Sequence, residues 1–282
     1  MLLKNVVFAL FVLLVSGCVK NNQDPSWLII NQWTLNANPN LSGSEGELTQ
    51  NFSEAWVYIN DECVGVFELP VKIPILKTGS VNVKVYPGIK DNGIASQRVT
   101  YPFSHSDTST IKLTIDSTTI ISPIVALKEN IEGIIDDFDP SYTFNYDTCF
   151  QKISGGPYGN YGSLSFLDSI FVTEINYKDH PLSFDNVTQQ GSATYLELDY
   201  KSESEFLVGM YINFPNTPTL QKNLLWINPK DDWNKIYVNL TQSVSEAIGA
   251  ESFSVFIRMQ RDNFSEVKTL DFDNIRIVHY KK

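Results

Sequence analysis

The chain has 282 residues, 43% of them hydrophobic and 19% charged, with a formal net charge of −11. That length and apolar content suffice for two packed cores. The acidic balance excludes tracking of a phosphate backbone and a basic face for anionic headgroups, so nucleic acid is not an expected partner.

Residues 1–17 read as an export signal. Lys4 gives a positive start, Val6 to Val15 is apolar, and small residues follow;. The run is shorter than the roughly 20 residues that cross a bilayer. Val15-Ser16-Gly17-Cys18 resembles the lipobox of bacterial lipoproteins. That resemblance implies that Cys18 becomes the mature N-terminus and carries the lipid, which makes a membrane the first partner. It implies the outer membrane as location, with the cell surface preferred over the periplasmic face. Asp24 beside Lys20 supplies only part of the acidic cluster that directs such lipoproteins outward in Bacteroidota. Residues 18–25 are polar and form a tether.

Residues 26–127 read as strands. Trp27 to Ile30 opens them, and Asn36 to Gln50 is a polar loop. Ala55 to Ile59 and Cys63 to Phe67 flank Asn60-Asp61-Glu62, a hairpin signal. Val81, Val83 and Val85 alternate with Asn82, Lys84 and Tyr86, the period of a half-buried strand;. Tyr86-Pro87-Gly88 reads as a turn. Arg98 to Phe103 and Thr110 to Ile115 complete an antiparallel β-sandwich of about 95 residues. The order Val57-Tyr58-Ile59-Asn60-Asp61, Val64-Gly65, Leu69-Pro70 and Gly79 before Val81 to Val85 resembles the PEGA family of small β-domains, which implies a non-catalytic envelope module. Ser117 to Asn130 is β-branched and reads as a connector, with the boundary at Lys128.

Residues 128–282 form the second expected domain. Ile135-Asp136-Asp137-Phe138 opens it, Trp233 and Val238-Asn239-Leu240 lie centrally, and Phe272-Asp273-Asn274-Ile275 closes it. Ser243 to Ile248 reads as a short helix. These segments resemble the galactose-binding-like jelly roll found in many carbohydrate-binding modules. The fold class is therefore all-β, an Ig/PEGA-like sandwich followed by a jelly roll. The resemblance implies a structural calcium ion where opening and closing strands meet, with Asp136, Asp137, Asp139, Asp271 and Asp273 as donors, since Ca²⁺ takes six to eight oxygens.

Motifs for catalysis are absent: the sequence has no GxSxG, HExxH, Walker A or GxGxxG pattern;. His105, His180 and His279 stand in separate contexts, and an enzyme is not expected. Cys63 and Cys149 fall in different expected domains and outside any CxxC pattern, so neither a disulfide nor a zinc site is expected. Asp116-Ser117-Thr118 and Asp168-Ser169-Ile170 fit a short O-glycosylation pattern known in Bacteroidota. A pyranose offers an apolar C–H face, so sugar binding needs exposed flat aromatics with fixed polar groups. Tyr158 and Tyr161, in a glycine-rich loop, and Trp226 are the candidates.

Two functions follow as expectations. The first is a non-catalytic accessory subunit of an outer-membrane protein assembly, using open strand edges to pair with a protein partner. The alternative is a surface lipoprotein that binds glycan through the jelly roll.

Overall fold

A computed structural model describes residues 24–41, 45–139, 145–146, 148–166, 170–176, 184–185, 187–261 and 268–282. Cys18, the export signal, most of the tether, Asp168, Ser169 and His180 lie outside the described residues.

The first half contains β1 (Ser26–Ile30), β2 (Thr34–Asn36), β3 (Glu54–Ile59), β4 (Glu62–Glu68) and β5 (Val71–Ile75). It continues with β6 (Gly79–Lys90), β7 (Arg98–Thr100), β8 (Asp107–Leu113), β9 (Thr118–Ile121) and β10 (Ile124–Ala126). One sheet runs β4-β3-β6-β7, with β8 also on β6; a second runs β5-β1-β9, and β10 pairs with β2. Val81, Val83 and Val85 point inward, as their alternation requires, and meet Val57, Ile59 and Leu28 in one core;. The β3–β4 turn is Asn60-Asp61, with φ of 52° and 64°. That conformation matches the right-handed twist of the flanking strands.

Two expectations are corrected here. Tyr86-Pro87-Gly88 is not a turn but lies inside β6. On one side of β6, β8 pairs with Gly79 to Val85 and β7 with Gly88 to Lys90. Pro87 falls in the gap between them, where its missing N–H removes no ladder bond. Its carbonyl still accepts the Tyr101 N–H at 2.8 Å. The connector, in turn, holds two strands, and both pair in parallel: β9 with β1 and β10 with β2. The first sandwich is therefore mixed, not purely antiparallel.

The second half contains β11 (Ile131–Asp136), β12 (Asn145–Tyr146), β13 (Phe150–Gly156), β14 (Gly159–Ser165), β15 (Val172–Asn176) and β16 (Thr194–Ser202). Then come β17 (Phe206–Asn213), β18 (Leu220–Ile227), β19 (Lys230–Asn239), helix α1 (Thr241–Glu246), β20 (Ser252–Gln260) and β21 (Thr269–Tyr280). A six-stranded sheet, β13-β14-β21-β16-β19 with β11 on β21, faces a five-stranded sheet, β12-β15-β20-β17-β18. Leu196, Leu198, Ile236 and Ile277 of the first meet Val208, Met210 and Ile257 of the second in one core. Among the described residues the fold is all-β apart from α1 and a short 3-10 turn at Pro39–Leu41.

The six-stranded sheet is apolar on both faces at its centre. Alternate residues Tyr195, Tyr237 and Val278 belong to the core of the first half. Tyr237 lies 6.2 Å from Phe52 and 5.4 Å from Tyr101, and Tyr195 lies 5.9 Å from Phe103, centroid to centroid. Such aromatic pairs contribute about 0.5–1.5 kcal/mol each beyond burial. Around them the same face carries charge, which shapes the site.

Candidate functional site

The loop after β6 clamps the first half onto β19. Asn92 donates its N–H to the Tyr237 carbonyl at 2.9 Å, and its Oδ1 accepts the Asn239 N–H at 2.8 Å. Asp91 Oδ1 accepts from the Tyr195 hydroxyl at 2.9 Å, and Oδ2 from Asn239 Nδ2 at 3.1 Å. Asn92 and Gly93 take φ of 56° and 70°. Asparagine tolerates that left-handed region and glycine has no Cβ to hinder it. Asn51 forms a second tie, giving its N–H to the Tyr237 hydroxyl at 2.9 Å and its Nδ2 to the Lys235 carbonyl at 3.0 Å.

Between the two ties a cleft of about 570 Å³ opens along the seam. This is within the size range of small-ligand sites. Its first wall is Asn51, Ser53 and the loop from Lys90 to Ala95. Its second wall comes from the β18–β19 hairpin: residues 225–228, Lys230 and residues 234–237. Trp226 lines it and is 41% exposed, an unusual exposure for so large an apolar ring;. Asn51, Asn92, Asn228 and Asn234 line it, and three of these amides are fixed in place: Asn51 Nδ2 donates to Asn234 Oδ1 at 3.3 Å, Asn234 Nδ2 to the Lys235 carbonyl at 3.3 Å, and Asn92 Oδ1 holds the Asn239 N–H;. Ser53 Oγ is buried with no hydrogen-bond partner among the described residues. Tyr200 closes the floor: its hydroxyl donates to the Asn228 carbonyl at 3.2 Å, and burial pushes its pKa up to about 12.

Behind the cleft lies a buried charged layer. Lys235 Nζ sits 3.4 Å from Glu197 Oε2 and 3.9 Å from Asp199 Oδ2, all nearly inaccessible to water. Thr49 joins it, accepting from Lys235 at 3.0 Å and donating to Asp199 at 2.6 Å. Tyr101 donates to Glu197, and burial first, then that carboxylate, holds the Tyr101 hydroxyl well above its usual range. On β21, a bulge places Asn274 at φ 49°, and its Nδ2 reaches Asp199 Oδ2 at 3.1 Å. Beside it, burial raises Asp273 to about 7, with Asp199, Asp137 and Asp139 adding to the rise.

The residues singled out from the sequence are dispersed. Of the three aromatic candidates only Trp226 lines the cleft. Tyr161 packs edge-on against Trp233 at 5.4 Å. Tyr158, 39% exposed, sits at the β13–β14 turn, where burial and the charges of Asp199, Asp273 and Glu47 raise its pKa. Of the five aspartates expected to hold calcium, Asp137 and Asp139 lie close enough to Asp273 for their charges to raise its carboxyl. Asp139 accepts from the side chain and the N–H of Asn160, Asp271 from Ser163 at 2.6 Å, and Asp137 from the Asp139 N–H at 3.1 Å. Asp136 is buried in β11. Among the described residues no three of His, Cys, Asp or Glu gather in a geometry that holds a metal. Cys63 is exposed and Cys149 buried, and no disulfide joins them. His105 lies 3.3 Å from Glu129, and His279 is buried near the Tyr280 carbonyl. The amides of the cleft were not legible in advance. The one signal for them was Asn228-Pro229-Lys230, a turn two residues after Trp226.

No family model and no curated protein matches the chain. Solved structures to which it is similar include the CBM22-2 xylan-binding domain of Paenibacillus barcinonensis Xyn10C. There the identity is 12% and the TM-score 0.36, over 53% of this chain and 99% of that one. CBM29_1, a family 29 carbohydrate binding module from Piromyces equi, gives 11% and 0.31, over 52% and 90%. A carbohydrate-binding module of the β-sandwich superfamily gives 13% and 0.34, over 79% and 83%. The solved structures similar to this all-β chain thus include carbohydrate-binding modules.

Proposed function

We propose that this protein binds a glycan in the seam cleft and is not an enzyme. The observation that carries the proposal is Trp226. A half-exposed indole at the wall of a cleft of about 570 Å³, with amides opposite, is the pairing of flat apolar surface and fixed polar groups that a pyranose needs;. Acylation of Cys18 would display the cleft beside a membrane, where tethering raises its effective concentration near surface glycans.

The assembly-subunit reading leaned on open strand edges. Strand β4 is such an edge, but it carries Glu62 and Glu68, and its ladder with β3 is broken by a register shift at Val57/Tyr58. Charges and bulges of this kind discourage added strands. The glycan reading is therefore preferred.

Affinity electrophoresis of the full chain through gels holding single polysaccharides tests the proposal. A retarded band is expected in at least one gel, with retardation lost in Trp226→Ala while its melting temperature is unchanged. Migration unaffected by every polysaccharide would refute it.

A further inference from the structure

The cleft differs in charge from the molecule around it. The chain carries 32 Asp and Glu against 21 Lys and Arg. Yet among the described residues that line the cleft there is no carboxylate, and there are three lysines, Lys90, Lys230 and Lys235.

These lysines are not equivalent. Lys235 is spent on Glu197 and Asp199 behind the wall. Lys90 has Glu68 at 3.8 Å, with both side chains open to water. Exposed pairs of that length contribute about 0–1 kcal/mol, so Lys90 is available to a better anion. Lys230 is exposed, at the start of β19 in the hairpin that also bears Trp226, and has no ion pair among the described residues. The nearest carboxylates along the chain lie outside the wall. Asp231 and Asp232 are exposed but do not line the cleft, and Asp91 is held by Tyr195 and Asn239 on the other side of its loop. Glu54 is fully buried, 3.4 Å from Arg98, and is not part of the lining.

A glycan made only of hydroxyls would need the amides and the indole and no cations. An acidic one would be disfavoured by the net negative charge of the chain and met in this cleft by lysines;. We infer that the cleft selects an anionic glycan, a chain of sugars bearing carboxylate or sulfate, whose charge Lys230 and Lys90 meet while Trp226 stacks on the ring. The inference rests on the glycan reading above and adds the charge of the ligand to it.

The test runs the full chain in affinity gels and in titration calorimetry against three groups of probes. Polygalacturonate and alginate supply carboxylates, chondroitin sulfate supplies sulfate esters with carboxylates, and xylan and mixed-linkage β-glucan are neutral references. Binding to one or both acidic groups is expected, and which group binds assigns the anion. Affinity should fall by about tenfold between roughly 50 mM and 500 mM salt, since exposed charges are screened within a few ångströms at the higher value. Lys230→Gln should weaken it about three- to tenfold, and Lys90→Gln less, because Glu68 already holds part of that charge. Neutral polysaccharides bound as tightly as acidic ones, with no salt dependence, would overturn the charge inference and leave glycan binding intact. Failure of every polysaccharide would overturn both.

Discussion

The Tyr195 hydroxyl donates to Asp91 Oδ1 at 2.9 Å, joining residues 104 positions apart, and it also accepts from Asn239 Nδ2 at 2.9 Å. One phenol thus bridges the loop of the first half and the sheet of the second. Tyr195→Phe keeps the ring on Phe103 but leaves Asp91 short of a donor. A loss of about 1–2 kcal/mol in urea unfolding is expected. A variant as stable as the parent would mean that water replaces the hydroxyl.

Lys235 tests the charged layer. Its ammonium stands between Glu197 and Asp199, and removing one partner of a buried pair leaves uncompensated charge that costs about 3–5 kcal/mol;. Lys235→Met should approach that cost in chemical denaturation. The triple change Lys235→Met, Glu197→Gln, Asp199→Asn should recover much of it, and a triple variant weaker than the single one would contradict this account.

Asp273 sets a pH dependence with a definite sign. Its carboxyl has an ordinary value of 3.8 and is raised to about 7 in the fold, mainly by burial. Between those values the folded chain holds a proton that the unfolded chain has released. Stability from this group therefore falls as pH rises through that window and is level above it. A neutral amide at this position never ionises, so Asp273→Asn should gain on the parent as pH rises from about 5 to 8. A gap opening by about 2–4 °C in melting temperature corresponds to ~1 kcal/mol in a chain of this size. Parallel melting curves across that range would remove Asp273 as a titrating group.

Gly209 marks a tight contact on the outer face of the second sheet. A Cβ there would run into the Phe256 ring and fall 2.8 Å from the Lys222 carbonyl oxygen. The ring is fixed by Tyr211 at 4.9 Å and by the Arg258 guanidinium at 4.7 Å, so it cannot yield cheaply. Gly209→Ala should destabilise by about 1–3 kcal/mol, read from the shift in thermal unfolding.

Tyr158 separates the two aromatic sites. It lies near Asp199, Asp273 and Glu47 and does not line the cleft. Tyr158→Ala should leave polysaccharide retention unchanged while Trp226→Ala abolishes it. Equal losses would move the binding surface to the β13–β14 turn.

What the sequence revealed follows the reach of its signals. The Val81, Val83, Val85 alternation and the Asn60-Asp61 turn are local patterns, and both strands and turn are where they were expected. Helix α1 likewise falls close to its expected place. Pro87 misled because a proline reads as a break unless the neighbouring strands are known to leave a gap there. The parallel partners of β1 and β2 lie some 90 residues downstream, and no local pattern encodes such a pairing. The cleft was hidden for the same reason: Asn51, Lys90, Trp226 and Asn234 come together only through the tertiary fold. The aspartates at both ends of the second half were visible, but their partners Asn160 and Ser163 were not.

In β16, β19 and β21 neighbouring residues serve different cores. Tyr195, Tyr237 and Val278 pack into the first half, and Leu196, Ile236 and Ile277 into the second. Because side chains alternate strictly along a strand, sliding any of these by one position would turn both interiors inside out together. Misalignment here is penalised twice, so these central strands also act as a proofreading device, one that lets two halves of very different sequence agree on a single alignment.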